Sequence, residues 1–73
     1  MKHKYDFWRL KYRIKEYYGN QDNFAKELNI SRQSLNYKLA NKVKFSYDEL
    51  QKMLDLLHVK PEEIHDIFFS IKS

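Results

Sequence analysis

Cysteine is absent from this chain of 73 residues, and glycine and proline occur once each, at Gly19 and Pro61. Without cysteine, neither a disulfide nor a thiolate zinc site can support a small core. Because glycine and proline most often interrupt helices, their scarcity predicts a mostly helical chain. Apolar runs such as Ile67–Phe69 are far shorter than the ~20 residues of a membrane span. The basic start, Met1–Asp6, lacks the apolar stretch of a signal peptide. We therefore expect a cytoplasmic protein without a membrane partner.

The composition allows one compact domain. Hydrophobic residues make up 42% of the chain and aromatic residues 16%, spread along its whole length. A domain of this size buries only about 60% of its unfolded surface, so the architecture must be simple. We predict a single domain over residues 1–73.

Positive charge is concentrated in the first three-fifths of the chain. The formal net charge is +4, and residues 1–44 carry 11 Lys and Arg against 4 Asp and Glu, whereas residues 45–73 carry 3 against 6. A surface shaped only for solubility intersperses both signs, so this asymmetry favours a polyanionic partner on one side. Charge alone does not distinguish DNA, RNA and an anionic membrane.

Five short helices are predicted from capping residues and apolar periodicity. The expected N-caps of the first four are Asp6, Asn20, Ser31 and Ser46, and the fifth helix begins at Pro61. Only residues 29–31 separate the second helix from the third, which fits a helix-turn-helix over about residues 20–40.

The third helix has an unusually thin apolar stripe, formed by Leu35 and Leu39. Its remaining side chains are polar or amphipathic, so a wide face is left for a partner. Arg32 could bind the O6 and N7 acceptors of guanine, and Gln33 could pair with adenine, both through the major groove.

The residues around this turn follow a known order. Gln21 opens the second helix, Ala25 lies in its middle, Asn29 can take the positive φ of a sharp turn, and Ser31–Ser34 opens the third helix. This order resembles the helix-turn-helix of the Cro and lambda-repressor-like superfamily. The pattern of almost the whole chain is similar to short phage-encoded repressor-like proteins. The resemblance implies an all-α, compact five-helix lambda-repressor-like domain that binds duplex DNA.

The resemblance, with the chemistry of the side chains, assigns roles to individual residues. Base reading is expected from Arg32, Gln33, Asn36 and Tyr37. Phosphate binding is expected from Gln21, Ser31, Ser34, Lys38, Lys42 and Lys44, and Arg9 and Arg13 are weaker candidates. A homodimer interface is expected at Ile67, Phe68 and Phe69. Relatives often have Asn-Gly after the recognition helix, where this chain has Ala40-Asn41, which puts a phosphate contact at that point in doubt.

These residues predict a sequence-specific transcriptional regulator, a Cro-like repressor of phage or prophage type. The alternative is a protein-binding module, such as an antitoxin or an anti-repressor partner, because fold alone does not settle function. Structured RNA is disfavoured, since its deep major groove excludes a helix. His58, Glu62 and His65 need not share a face, so we expect no metal site. We also expect no enzymatic activity, cofactor or small-molecule ligand.

Overall fold

The computed structural model describes residues 4–71, and within them the chain is all-α. The helices are α1 (Trp8–Tyr18), α2 (Gln21–Leu28), α3 (Arg32–Leu39), α4 (Tyr47–Leu56) and α5 (Ile64–Phe68), and a 3₁₀ turn over Pro61–Glu63 leads into α5. The prediction of five helices with a helix-turn-helix at the second and third is confirmed. No helix in this part of the chain is long and apolar enough to cross a membrane.

Three of the predicted N-caps set the starts of α2, α3 and α4. Asn20, Ser31 and Ser46 have extended backbones, and each side chain accepts a hydrogen bond from the backbone N–H three residues later, at 2.8–3.1 Å. Glu49 completes a capping box on α4, because its Oε1 accepts from the Ser46 N–H at 2.8 Å. These contacts satisfy N–H groups that a helix start otherwise leaves unpaired.

Asparagine supplies two of the sharp turns. Asn29 follows α2 with φ 63°, and Asn41 follows α3 with φ 64°, as the sequence predicts for residues that tolerate the left-handed region. His58, after α4, also has a positive φ of 52°. The chain therefore reverses direction without needing glycine at these positions.

The first helix begins later than predicted, at Trp8 rather than directly after Asp6. The Asp6 N–H donates to the Ser70 carbonyl at 2.7 Å, and Tyr5 forms an antiparallel bridge with Ile71. This pairing engages the backbone of residues 5 and 6, and the N-cap position falls to Phe7. The Asp6 carboxylate still accepts from the Trp8 N–H, at 3.2 Å.

The core is built from one side of every helix. Its most deeply buried large side chains are Phe24, Leu10, Ile14, Leu28, Leu35, Met53 and Leu57. Ile67 and Phe68 also belong to this core, with 3% and 2% of their surface exposed. Their predicted place in a dimer interface is therefore wrong: α5 uses both side chains to pack within a single chain. Phe69 keeps 38% exposure.

Candidate nucleic-acid interface

The outer face of α3 carries the four side chains predicted to read bases. Leu35 and Leu39 hold the inner face of the helix in the core. Successive residues of an α-helix are about 100° apart, so positions 32, 33, 36 and 37 fall within an arc of about 140° next to the Leu35–Leu39 stripe. The structure leaves all four exposed.

Arg32 is held at the start of this face by a residue of α2. Its Nη1 lies 3.3 Å from Asp22 Oδ2, and both side chains are more than half exposed. An ion pair this open to solvent is worth about 0–1 kcal/mol, so the guanidinium can exchange Asp22 for another acceptor. Sequence reasoning missed Asp22; its position one residue after the opening Gln21 gave no signal of this contact.

Gln33, Tyr37 and Lys42 form a row across the same face. Gln33 Nε2 donates to the Tyr37 hydroxyl at 2.9 Å, and Lys42 Nζ lies 5.6 Å from the centre of the Tyr37 ring. A cation over an aromatic face at that distance is attracted to the ring. The row limits the rotamers of three long side chains before any partner arrives.

Several of the predicted phosphate-binding residues lie around α3. Ser31 Oγ accepts from the Ser34 N–H at 3.0 Å, which leaves the Ser31 hydroxyl hydrogen free to donate. Gln21 is half-buried at the first position of α2, and Lys42 and Lys44 are exposed on the loop that follows α3. These groups flank α3 at both ends.

Gln21 also borders a shallow cavity of about 250 Å³ that two lysines share. Lys11 and Lys15 line it from α1, and both are exposed. They lie one helical turn apart on α1, a spacing that places them on one face. Sequence reasoning placed Lys15 towards water or phosphate but missed Lys11, although the i, i+4 spacing of the two lysines could have indicated it.

Lys38 does not fit its predicted role as a phosphate contact. Only 8% of the residue is exposed, and its Nζ forms an ion pair with Glu49 Oε2 at the start of α4. Position 38 lies beside Leu39 and one turn from Leu35, so the aliphatic stem covers the core and the ammonium turns inward. Lys38 therefore joins α3 to α4.

Arg13 is likewise engaged within the fold. Its guanidinium donates to the carbonyl oxygens of Leu57 and His58 at 3.2 and 3.4 Å, and to Glu63 Oε2 at 3.0 Å. This corrects its assignment as a candidate phosphate contact. Arg9 lies 3.4 Å from Asp66 in an exposed ion pair, which leaves its charge accessible.

Two carboxylates that bind these cations have a lowered pKa. Burial opposes ionisation of Glu49, but hydrogen bonds from Lys38 and from the Ser46 backbone outweigh it and lower its pKa. The pKa of Glu63 is lowered by the Lys60 backbone N–H and by Arg13. Glu49 joins α4 to α3, whereas Glu63 joins the 3₁₀ turn to α1. Among residues 4–71, no three potential metal ligands come together.

The chain was compared with solved structures, curated proteins and family models. The chain is similar to the modulator of repression (MOR) of the temperate bacteriophage TP901-1 from Lactococcus lactis, known as a solution structure. The TM-score is 0.77 at 35% identity, over 89% of this chain and 88% of that one. No functionally curated protein matches. A family model described as a protein of unknown function, DUF739, matches residues 3–71, and the chain belongs to that family.

Proposed function

We propose that this chain regulates phage gene expression by binding an operator in duplex DNA through α3. Two observations support a regulatory role. A protein 35% identical over most of both chains is a modulator of repression in a temperate phage. The helix-turn-helix also resembles that of the Cro and lambda-repressor-like superfamily, whose third helix enters the major groove. Operator binding would place the protein in the bacterial cytoplasm.

The observation that carries the proposal is the exposed face of α3. Arg32, Gln33, Asn36 and Tyr37 point away from the core on a helix that is anchored from behind by Leu35 and Leu39. A helix that presents amide and guanidinium groups from a fixed position can read base edges in the major groove. Each bidentate contact, from Arg32 to guanine or from Gln33 to adenine, contributes about 1–3 kcal/mol of discrimination.

Affinity would come from groups that surround this face. Gln21, Ser31 and Ser34 present amide and hydroxyl groups near the helix starts, and Lys42 and Lys44 add exposed positive charge after α3. Contacts of this kind orient a protein on the sugar-phosphate backbone without reading sequence. The proposal needs neither a cofactor nor a catalytic group.

We include a homodimer in the proposal because one recognition helix reads only a few base pairs. Two copies on half-sites about 34 Å apart would give an inverted-repeat operator. Of the three residues predicted for the interface, Phe69 alone remains exposed. Equilibrium sedimentation with and without operator DNA tests this part: a monomer that binds a single half-site would rule out the dimer.

The direct test is a selection of bound duplexes from random DNA at about 150 mM salt. Wild type, Arg32→Ala/Gln33→Ala and Lys52→Ala are run in parallel; Lys52 is an exposed residue of α4 and serves as the control. We expect a short inverted repeat from wild type and control, and loss or relaxation of the motif in the double variant. Failure of the wild type to enrich any motif would refute operator binding.

A second candidate function is binding to a repressor protein rather than to its operator. The specific observation in its favour is that the phage protein above is named a modulator of repression. Exposed Tyr37 gives the α3 face an aromatic side chain that either kind of partner could contact. Salt distinguishes the two: binding through several phosphates weakens steeply between about 50 and 200 mM, whereas an apolar protein contact barely responds.

A further inference from the structure

An aromatic groove of about 540 Å³ lies beside α3, between the segment before α1, the α3–α4 loop and α5. Four aromatic rings line the groove in a row, each in contact with the next. The distance between ring centres is 5.8 Å from Phe45 to Phe7, 5.9 Å from Phe7 to Tyr5 and 5.8 Å from Tyr5 to Phe69. Phe7 is buried at the base, whereas Phe69 keeps 38% of its surface exposed. The groove is therefore an apolar concavity that remains open on one side.

The wall of this groove is fixed by backbone contacts. The Asn41 side chain makes two hydrogen bonds with the Tyr5 backbone, each of 2.9 Å, and Tyr5 also pairs with Ile71. The Asp6 N–H binds the Ser70 carbonyl next to that bridge. Since these bonds exist in the free chain, an occupant would not have to order the wall when it binds.

Positive charge surrounds the apolar floor. Lys4, Lys42 and Lys44 line the groove, all three are exposed, and none forms an ion pair with another residue of the described range 4–71. The fourth lining lysine, Lys38, is neutralised by Glu49. No carboxylate of residues 4–71 lines the groove. The surface is complementary to an occupant that is both anionic and apolar.

We propose that this groove binds an acidic, apolar segment of a partner protein. Its aliphatic or aromatic side chains would lie against Phe45, Phe7 and Phe69, and its carboxylates against the three exposed lysines. Nucleic acid fits less well, because phosphates would satisfy the lysines but leave the apolar floor open to water. The rings also meet at steep angles, near 80° for Phe7 with Phe45 and for Tyr5 with Phe69, so they form no continuous flat surface on which successive bases could stack. The groove contains none of the base-reading residues proposed on α3, but it shares Lys42 and Lys44 with the proposed phosphate contacts.

The test is a selection from a displayed library of random peptides, with the full chain as bait. Val43→Ser, Lys44→Glu and Lys52→Glu serve as parallel baits; Val43 and Lys44 line the groove, whereas Lys52 is exposed outside it. Val43 keeps 48% exposure, so its substitution should leave the fold intact, which circular dichroism checks. One enriched peptide is then titrated against each variant.

We expect enriched peptides that combine Asp or Glu with Leu, Ile or Phe. Their affinity should fall by about tenfold or more in the Val43 and Lys44 variants and stay unchanged in the Lys52 variant. No enrichment, or binding insensitive to Val43→Ser, would overturn the proposal. So would a dimer seen in sedimentation that Val43→Ser dissociates, because a second copy of the chain would then fill the groove. A failed operator selection would leave all of these outcomes as they are, so the two proposals fail separately.

Discussion

The carboxamide of Asn41 pairs with both backbone polar groups of Tyr5. Asn41 Oδ1 accepts from the Tyr5 N–H, and Nδ2 donates to the Tyr5 carbonyl oxygen, each at 2.9 Å. The two residues are 36 positions apart in the sequence. The Asn41 side chain satisfies both backbone hydrogen-bonding groups of Tyr5, as a neighbouring strand would in a sheet. It also joins that segment to the turn that ends α3.

Replacing Asn41 by glycine isolates the contribution of this pairing, because glycine retains the left-handed backbone. We expect Asn41→Gly to lower the free energy of unfolding by about 1–3 kcal/mol, since two partly buried hydrogen bonds are lost. Asn29→Gly is the matched control: Asn29 has nearly the same φ, but its side chain makes no hydrogen bond within residues 4–71. Urea unfolding of both variants provides the measurement, and equal losses would refute a role for the Asn41 side chain.

Acid should destabilise the protein through Glu49 and Glu63. The ordinary pKa of each is 4.5, and both are lowered in the fold. A carboxylate with a lowered folded pKa stabilises fully above its unfolded pKa, and this contribution is lost as the pH falls through the folded value. We therefore expect urea midpoints to be level near neutral pH and to fall below about pH 5.

Glu49→Gln should be less stable than wild type at neutral pH and should lose less stability on acidification. Lys38→Met should reduce the acid-dependent loss in the same direction, because removing the ammonium raises the pKa of Glu49 towards its ordinary value. Urea midpoints measured at several pH values between neutrality and about pH 3 test both variants. If both variants lost as much stability at low pH as wild type does, the loss could not be assigned to the Lys38–Glu49 pair.

Arg13 should matter for stability and Arg9 should not. Arg13→Ala removes the donors to two carbonyl groups at the end of α4 and to Glu63, and we expect a loss of about 2 kcal/mol. Arg9→Ala breaks only an exposed pair with Asp66, worth under about 1 kcal/mol. Thermal unfolding of the two variants makes the comparison, and a similar effect of both would show that the Arg13 contacts are not maintained in solution.

If the chain binds operator DNA, the lysines near α3 should differ in how much each contributes to the salt dependence of binding. Lys42→Ala and Lys44→Ala should each reduce the slope of log affinity against log salt by about 1, because each removes one phosphate contact. Lys38→Met should leave that slope unchanged, since its ammonium is bound to Glu49. Fluorescence anisotropy with the selected operator measures all three, and a reduced slope for Lys38→Met would restore it as a phosphate contact.

Local signals in the sequence were enough to predict most of the helices. The caps at Asn20, Ser31 and Ser46 act on residues three positions away, so their effect can be read from short segments. The late start of α1 could not be foreseen in that way, because Asp6 is held by Ser70, at the other end of the chain. The 3₁₀ turn at Pro61–Glu63 also shortened the predicted fifth helix to residues 64–68.

The candidate site was predictable where it depends on helix periodicity and not where it depends on packing. Positions 32, 33, 36 and 37 share a face by geometry alone, and the structure leaves them exposed. Lys38 was misassigned because a lysine on a polar helix is usually solvated, whereas here its ammonium forms an ion pair with Glu49 of the next helix. Phe68 was misassigned because a stripe on a short terminal helix does not show whether this chain or a second copy covers it.

The antiparallel bridge between Tyr5 and Ile71 means that the described chain ends almost where it begins. A chain whose ends meet can be closed into a ring, or opened elsewhere, with little change to its packing. A short peptide link between the ends would give a cyclic form in which the unfolded ensemble is restricted by loop closure. New ends could then be placed in the exposed α3–α4 loop. Labels placed next to Tyr5 and next to Ile71 would lie at the same edge of the molecule, beside the aromatic groove.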